Sequence, residues 1–432
     1  MLAIWIALGA GRAHANGAFP DALQLFVPAD RPAEIILATT FGLVMSHDDG
    51  ATWDWVCEHG SGLMATQYQM AAPPSRRLVA VTPGGVATSD DEACSWSRAA
   101  GLTGTTVTDT FADPLNPDRL LALGTLIDAG GQAKNGLFIS ADGGTTFGTA
   151  SYLVPSESSL ASVEVSASRP ERIYLTTFHF NFGLPPSSAL IRSDDGGGTW
   201  TVLDVTAVTG DKIVRIAAID PLDADKVYFR ATGTEDAIGL TTDGGATVTL
   251  PLIVPFQLTG FLRRANGQLL ASALDVLDGA LFRSTDGGQS FTRMATRLGI
   301  RALTERAGKI YAATDNVIDG FALAVSTDDG ATFQPLLRFD QVTGARACGD
   351  LPTACAAICA DLVNVGTFTS SSCRGGAGGV GGGGGEAGAD ADPRPPTGGG
   401  CACLLPAGAQ RPSLIVLIWV VAATILARRW RR

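Results

Sequence analysis

The sequence predicts an all-β fold: a seven-bladed β-propeller with four-stranded blades over residues 20–339, then a short Cys-containing stalk (340–373), a Gly-rich linker (374–400) and a C-terminal transmembrane helix. Three observations support it. One turn pattern recurs seven times at blade-sized intervals, and apolar strand-like runs flank every copy. The composition, 46% hydrophobic and 17% charged residues with 53 glycines and 22 prolines, suits many short strands joined by tight turns.

The pattern is S/T-x-D-x-G-x-T/S followed by an aromatic residue, and it starts at Ser46, Ser89, Ser140, Ser193, Thr241, Ser284 and Ser326. Ala93 replaces the glycine in the second copy and Val248 the aromatic in the fifth. The aspartates Asp48, Asp91, Asp142, Asp195, Asp243, Asp286 and Asp328 are separated by 43, 51, 53, 48, 43 and 42 residues. Each copy reads as a hairpin clamp: the carboxylate accepts backbone N–H groups across the turn, glycine takes a positive φ, and the aromatic starts the return strand. A D-x-D-G string also suggests a calcium loop, but no copy carries the full oxygen ladder with a closing Glu. These aspartates are therefore assigned to structure, and neither a metal nor another cofactor is expected.

Upstream of each copy the chain repeats as well. A turn such as Asp113-Pro114-Leu115-Asn116-Pro117, Ser168-Arg169-Pro170 or Asp220-Pro221 precedes a second strand such as Leu120-Leu121-Ala122-Leu123, Ile173-Tyr174-Leu175 or Val227-Tyr228-Phe229. Four strands per repeat, arranged radially, make propeller blades. On these residues the chain resembles the Asp-box, or BNR, repeat proteins, which include sialidases, sortilin-type receptors, xyloglucanases and photosystem II assembly factors. The resemblance implies the propeller and leaves the activity open, because those families share the clamp and little else.

Residues 1–15 read as a secretory signal, an apolar run ending in Ala13-His14-Ala15. Export would permit disulfides. Cys57 ends a fourth strand and Cys94 lies in the next blade's turn, so a Cys57–Cys94 bridge is expected; Cys348, Cys355, Cys359 and Cys373 surround a short helix predicted at 353–363 and tie the stalk. The formal charge is -11, and setting aside Arg12 and the five C-terminal arginines leaves 25 basic against 42 acidic side chains. Such a surface argues against a nucleic-acid partner.

Near the C-terminus, Gly400-Cys401-Ala402-Cys403 precedes an apolar span at 412–427 and the cluster Arg428, Arg429, Arg431 and Arg432, the order of a membrane anchor with a cytoplasmic end. Residues 401–432 resemble the MYXO-CTERM sorting signal of myxobacterial surface proteins. That resemblance implies processing at Cys401, beside Cys403, by a sorting protease, and retention at the cell surface or envelope membrane. A plain membrane anchor is the competing reading.

No catalytic constellation is visible. An Asp-box sialidase needs an arginine cluster, a Tyr nucleophile with a Glu partner and an acid/base Asp, and its Arg-Ile-Pro segment is missing here. Tyr174, Tyr228 and Tyr311 recur at one point of the second strand and read as blade packing. The candidate ligand site is an acidic rim beside an aromatic loop, on the face opposite the repeated turns. It is formed by Asp128, Phe178, His179, Phe180, Glu235, Asp236, Asp275, Asp278, Asp315 and Asp319. The function expected is a surface-anchored, non-enzymatic binding or scaffold module for a glycan or protein ligand. A glycoside hydrolase of sialidase-like or related type is the first alternative, and an envelope assembly factor like the photosystem relatives the second.

Overall fold

The computed structural model describes residues 21–58, 65, 67–127, 130–154, 157–179, 186–275 and 278–373. The predicted signal, linker, Cys401, Cys403 and the 412–427 span lie outside these residues. Among the described residues no helix is long and apolar enough to cross a membrane.

Seven four-stranded antiparallel sheets form the blades, each from consecutive strands in sequence order. Blade 1 comprises Ala22–Phe26, Ile35–Thr39, Gly42–Ser46 and Asp54–Cys57; the others occupy 67–98, 106–154, 158–204, 213–254, 257–293 and 300–337. The first strands stand side by side around the centre, and that of blade 7 (Ile300–Arg306) returns against that of blade 1. The predicted seven-bladed propeller is thus observed.

Burial follows from this radial stacking. Second and third strands such as Ile35–Thr39, Gly42–Ser46, Leu78–Thr82 and Gly85–Ser89 are buried at every position, because neighbouring blades cover both faces. Leu121, Leu123 and Leu137 of blade 3, for example, pack with Val163, Ile173 and Leu175 of blade 4. Outer strands such as Thr201–Asp204 bury no residue.

In six blades the pairing of first with second strand slips by one residue, as between Leu160 and Ser162 or between Ile216 and Ala218. A bulge of this kind interrupts the ladder and re-aims side chains. Side chains of one blade then reach the next blade's backbone: the Ile216 amide donates to Ser162 Oγ at 2.8 Å and the Val163 amide to Asp109 Oδ2 at 3.0 Å.

The repeated turns close as clamps. Asp48 accepts from the Thr52 amide at 2.8 Å, the Thr52 hydroxyl at 2.6 Å and Ser46 Oγ at 2.8 Å, while the Gly50 amide donates to Ser46 Oγ at 2.9 Å. Asp91, Asp142, Asp195, Asp243, Asp286 and Asp328 hold the same partners in their own turns. Hydroxyl donation from Thr52, Thr146 and Thr332, then amide donation from the same residues, lowers Asp48, Asp142 and Asp328 to about 2. Ala93 adopts φ 67° where other copies place glycine, a left-handed conformation that strains a residue with a Cβ.

On the face bearing these turns, side chains latch each blade to the next. Arg31 donates to Ser75 O at 3.3 Å, Arg77 to Asp142 O at 2.9 Å and Arg119 to Pro170 O at 2.6 Å. Arg172 pairs with Asp194 and Asp225, and Arg192 donates to Gly244 O at 2.9 Å. Tyr228 donates to Gly287 O at 3.1 Å, Arg264 meets Asp329 at 2.6 Å, and Arg306 closes the circuit on blade 1 through Glu34 O at 2.6 Å and Asp49 at 2.7 Å.

Residues 340–373, expected as a stalk, instead fold back onto blades 1 and 2. Gly344 O accepts from the Trp55 amide at 3.1 Å and Trp55 O from the Arg346 amide at 2.9 Å, so Ala345 runs parallel to the outer strand of blade 1. The helix Leu351–Asn364, close to the span predicted from sequence, buries Leu351, Cys355, Cys359 and Leu362. They join a core containing Phe41, Trp55, Phe339 and Phe368, whose rings meet edge to face. The expected Cys57–Cys94 bridge is not formed. Cys57 pairs with Cys355, Cys94 with Cys348, and Cys359 with Cys373. Both early cysteines face the returning segment, and local spacing cannot reveal a partner more than 250 residues away.

Replacing Cys57 and Cys355 together by alanine should lower the unfolding free energy by about 2–4 kcal/mol in urea melts of the full chain. Peptide mapping of unreduced protein should return Cys57 linked to Cys355, and recovery of a Cys57–Cys94 peptide would contradict the fold described here.

Candidate functional site in the central channel

The first strands of blades 2 to 6 line a central cavity of about 300 Å³. Alternation along a strand sends every second side chain into the channel, and an apolar wall would be expected from the rest of the chain. Polar and charged residues occupy it instead: Gln67, Gln69, Asp109, Glu164, Arg215 and Thr259, joined by Arg230 from a second strand and by Phe111 and Phe261.

The two acids lie deep in the molecule yet keep partial water access through the channel. Asp109 accepts from Gln67 Nε2 at 3.0 Å and from the Val163 amide at 3.0 Å. Burial nevertheless raises Asp109 to about 6, and burial followed by the Asp109 charge raises Glu164 to about 8, against a hydrogen bond from the Ile219 backbone. Partial water access moderates both rises. From the neighbouring blade 5, Arg215 is exposed and reaches Ala161 O of blade 4 at 3.5 Å, while Arg230 is half-buried and donates to Leu258 O at 2.7 Å. Burial lowers Arg230 from its ordinary value, and a guanidinium stays charged regardless. Neither arginine forms an ion pair among the described residues, although the charge of Asp236 acts on Arg230 and that of Asp109 on Arg215.

Several of the residues singled out on the rim are engaged in contacts of their own, and Asp315 and Asp319 lie together on one short helix. Asp128 and Phe180 lie outside the described residues. Asp236 is buried and accepts from the Gly233 and Leu258 amides at 3.2 and 2.9 Å, which ties its loop to blade 6. Asp278 pairs with Arg297 at 2.8 Å. Asp315 caps the short helix Asn316–Asp319 and meets Arg301 at 2.6 Å; Arg301 also pairs with Asp21 at 2.8 Å across the seam between blades 7 and 1. Asp319 accepts from the Gly299 amide at 3.0 Å, and burial raises it to about 6. His179 Nδ1 lies 2.9 Å from Ser158 Oγ beside half-buried Phe178, while Glu235 and Asp275 are exposed.

Glu34, His47 and Glu92 bring potential metal-ligand atoms within 4.8 Å of one another. Arginines occupy that space: Arg346 contacts His47 Nε2 at 2.6 Å and pairs with Glu92, Arg31 pairs with Glu34 at 2.9 Å, and Arg76 with Glu92 at 3.1 Å. The cluster works as an ion-pair hub under the returning C-terminal segment.

No protein-family model matches the sequence, and no curated protein does. Among solved structures, the GH74 enzyme of Niastella koreensis is 14% identical, with 73% of this chain and 71% of that one covered at a TM-score of 0.42. YCF48 from Cyanidioschyzon merolae is 12% identical over 71% of this chain and 94% of its own at 0.47. The β-propeller domain of the Trilobed protease from Pyrococcus furiosus is 11% identical over 73% and 98% at 0.49. Likenesses at this level carry no argument about activity, and the fold stands on the blade geometry itself.

The raised carboxyl of Glu164 makes a signed prediction. Its contribution to stability is fully present below the ordinary Glu value and is lost as pH rises from about 4.5 to about 8, where the folded state must ionise it. Glu164→Gln should therefore flatten the decline of stability with pH in that window, measured by thermal melts at a series of pH values; an unchanged slope would show the carboxyl to be well solvated.

Proposed function

We propose that the chain is an exported Asp-box propeller, retained at the cell surface, that binds a glycan or protein ligand through its central channel without transforming it. One observation carries this reading. The turn aspartates and the latch arginines are consumed by intramolecular bonds, whereas Arg215 and Arg230 face the channel with no ion-pair partner among the described residues. A polar cavity lined by ionisable groups that form no direct ion pairs among the described residues fits a binding site better than a packing core.

Three disulfides among the described residues support export, because such bonds persist in oxidising compartments. The Gly-Cys-Ala-Cys segment at 400–403, the span at 412–427 and the arginines beyond it support a MYXO-CTERM-type signal processed at Cys401. Surface-exposed protein should then end near Cys401 by intact-mass analysis, and recovery of a peptide containing Trp430 from that fraction would favour a plain anchor. Full-length protein should capture its ligand from a glycan array or an envelope extract. Arg215→Glu should abolish that capture, and Asp195→Ala, in a distant turn, should preserve it.

A second reading, glycan hydrolysis, rests on Asp109 and Glu164 sharing one cavity with carboxyls raised to different degrees, the division of roles seen in general acid and base pairs. It requires turnover of a glycoside that disappears in Glu164→Gln, and a glycoside panel without turnover removes it.

A further inference from the structure

Charges of both signs line one small volume of the channel, and they interleave. Arg215, on the first strand of blade 5 (Ile213–Ile219), donates to Ala161 O at 3.5 Å, on the strand Ser158–Val165 that carries Glu164. Glu164 in turn accepts a hydrogen bond from the Ile219 backbone, on the strand that carries Arg215. Asp109, on the first strand of blade 3 (Thr106–Ala112), accepts from the Val163 amide at 3.0 Å, one residue away from Glu164. The charge of Asp109 acts on Arg215 and that of Asp236 on Arg230. The lining thus carries two carboxyls and two guanidinium groups, mixed together.

A ligand of either net charge meets a like charge in such a lining. Hydroxyl groups suit it better, because each donates and accepts at once. The neutral side chains extend the same mixture. Gln67 donates to Asp109 at 3.0 Å and Gln69 to Thr110 O at 3.0 Å, which leaves the amide oxygen of each for a ligand. Arg215 and Arg230 each use one N–H group on a carbonyl, at 3.5 and 2.7 Å. The rest of each guanidinium fork can reach two adjacent oxygens, the arrangement that neighbouring hydroxyls of a pyranose present. Phe111 and Phe261, both only partly buried, add apolar ring surface for the C–H face of a sugar, and Phe261 is backed by Tyr228 at 5.2 Å between centroids. The cavity of about 300 Å³ lies at the small end of the range for ligand pockets, which suits one sugar ring more than a stretch of polymer.

Resting on the channel as the binding site, we propose that it seats one neutral hexopyranose, the terminal residue of a glycan. Its hydroxyls are held by Asp109, Glu164, Arg215, Arg230 and the two glutamines, and its apolar face by the phenylalanines. A charged substituent on the same ring would bring an unmatched charge into a lining whose own charges already offset one another. Recognition of the sugar then depends on hydrogen bonds that are charge-assisted on the protein side only, and its affinity responds little to salt.

Changing only the charge of the sugar tests this. Calorimetric titration of the disulfide-intact full chain would use the methyl glycosides of glucose, galactose and mannose, each beside its uronic acid and its 6-amino-6-deoxy form. At least one neutral glycoside should bind, and its acid and amine should each bind roughly tenfold more weakly or worse, the effect of leaving one charged group unsatisfied. Arg215→Gln removes one positive charge from the lining and should raise the affinity of the amine relative to the acid several-fold, and Arg230→Gln should do the same. A variant that merely misfolded would bind none of the three. Tighter binding of an acid or an amine than of its neutral parent, an amine-to-acid ratio unchanged in both variants, or no binding of any glycoside overturns the neutral-sugar assignment. If Arg215→Glu still abolishes capture of an envelope protein in that case, the channel remains a binding site with a protein ligand; if capture survives Arg215→Glu, the reading beneath this inference falls as well.

Discussion

A ring of blades made from consecutive strands has no strand shared between its first and last members, so its closure rests on contacts between sheets, most of them through side chains. Blade 1 ends at Cys57 and blade 7 begins at Ile300, and no backbone ladder joins the two sheets. Two kinds of contact meet that requirement. Apolar second and third strands bury both faces between neighbours, which supplies most of the cohesion. The latches of Arg77, Arg119, Arg172, Arg264 and Arg306 then set the angle at which each blade meets the next, because a guanidinium donates in fixed directions. Sharp turns held by aspartates give those arginines carbonyls at defined positions, as Asp142 O and Gly143 O do for Arg77.

The division of charge within the molecule follows from the same constraint. Where cohesion is needed, opposite charges touch; where the first strands leave a channel, they do not. Burying an ionisable group costs stability, and the channel wall nevertheless carries Asp109 and Glu164, whose carboxyls burial raises to about 6 and about 8. The bulges contribute to this arrangement. By interrupting pairing at Ala161 and Ala217 they turn the strands of blades 4 and 5 so that Ser162 bridges to Ile216 while Glu164 and Arg215 remain directed at the cavity.

The blades and turns were legible in the sequence because their determinants are local: Ser46, Asp48, Gly50 and Thr52 sit within one short segment and bond to one another. The channel was not legible in that way. Asp109, Glu164 and Arg215 come from three blades, more than 50 residues apart in turn, and share no motif. A signal did exist, in the form of single charges inside otherwise apolar strands, as in Ile213–Ile219. The latches left a trace too, since Arg77, Arg119 and Arg172 each directly precede a second strand. Attention to exposed loops drew the candidate site toward Asp236 and Asp315, whose carboxylates instead fasten loops and the seam. The cysteine pairing failed for another reason: Cys57 and Cys94 are neighbours in blade order, but a segment from the far end of the chain lies against both.

That segment has a mechanical consequence. The Cys57–Cys355 bridge makes residues 57–355 a covalent loop containing nearly the whole ring, and Cys359–Cys373 fastens the end of the returning segment to its own helix. Tension applied to the chain beyond Cys373 therefore passes through sulfur–sulfur bonds into the outer strand of blade 1. It does not peel blade 7 away strand by strand. The channel, lined by residues 67–261, lies wholly within that closed loop.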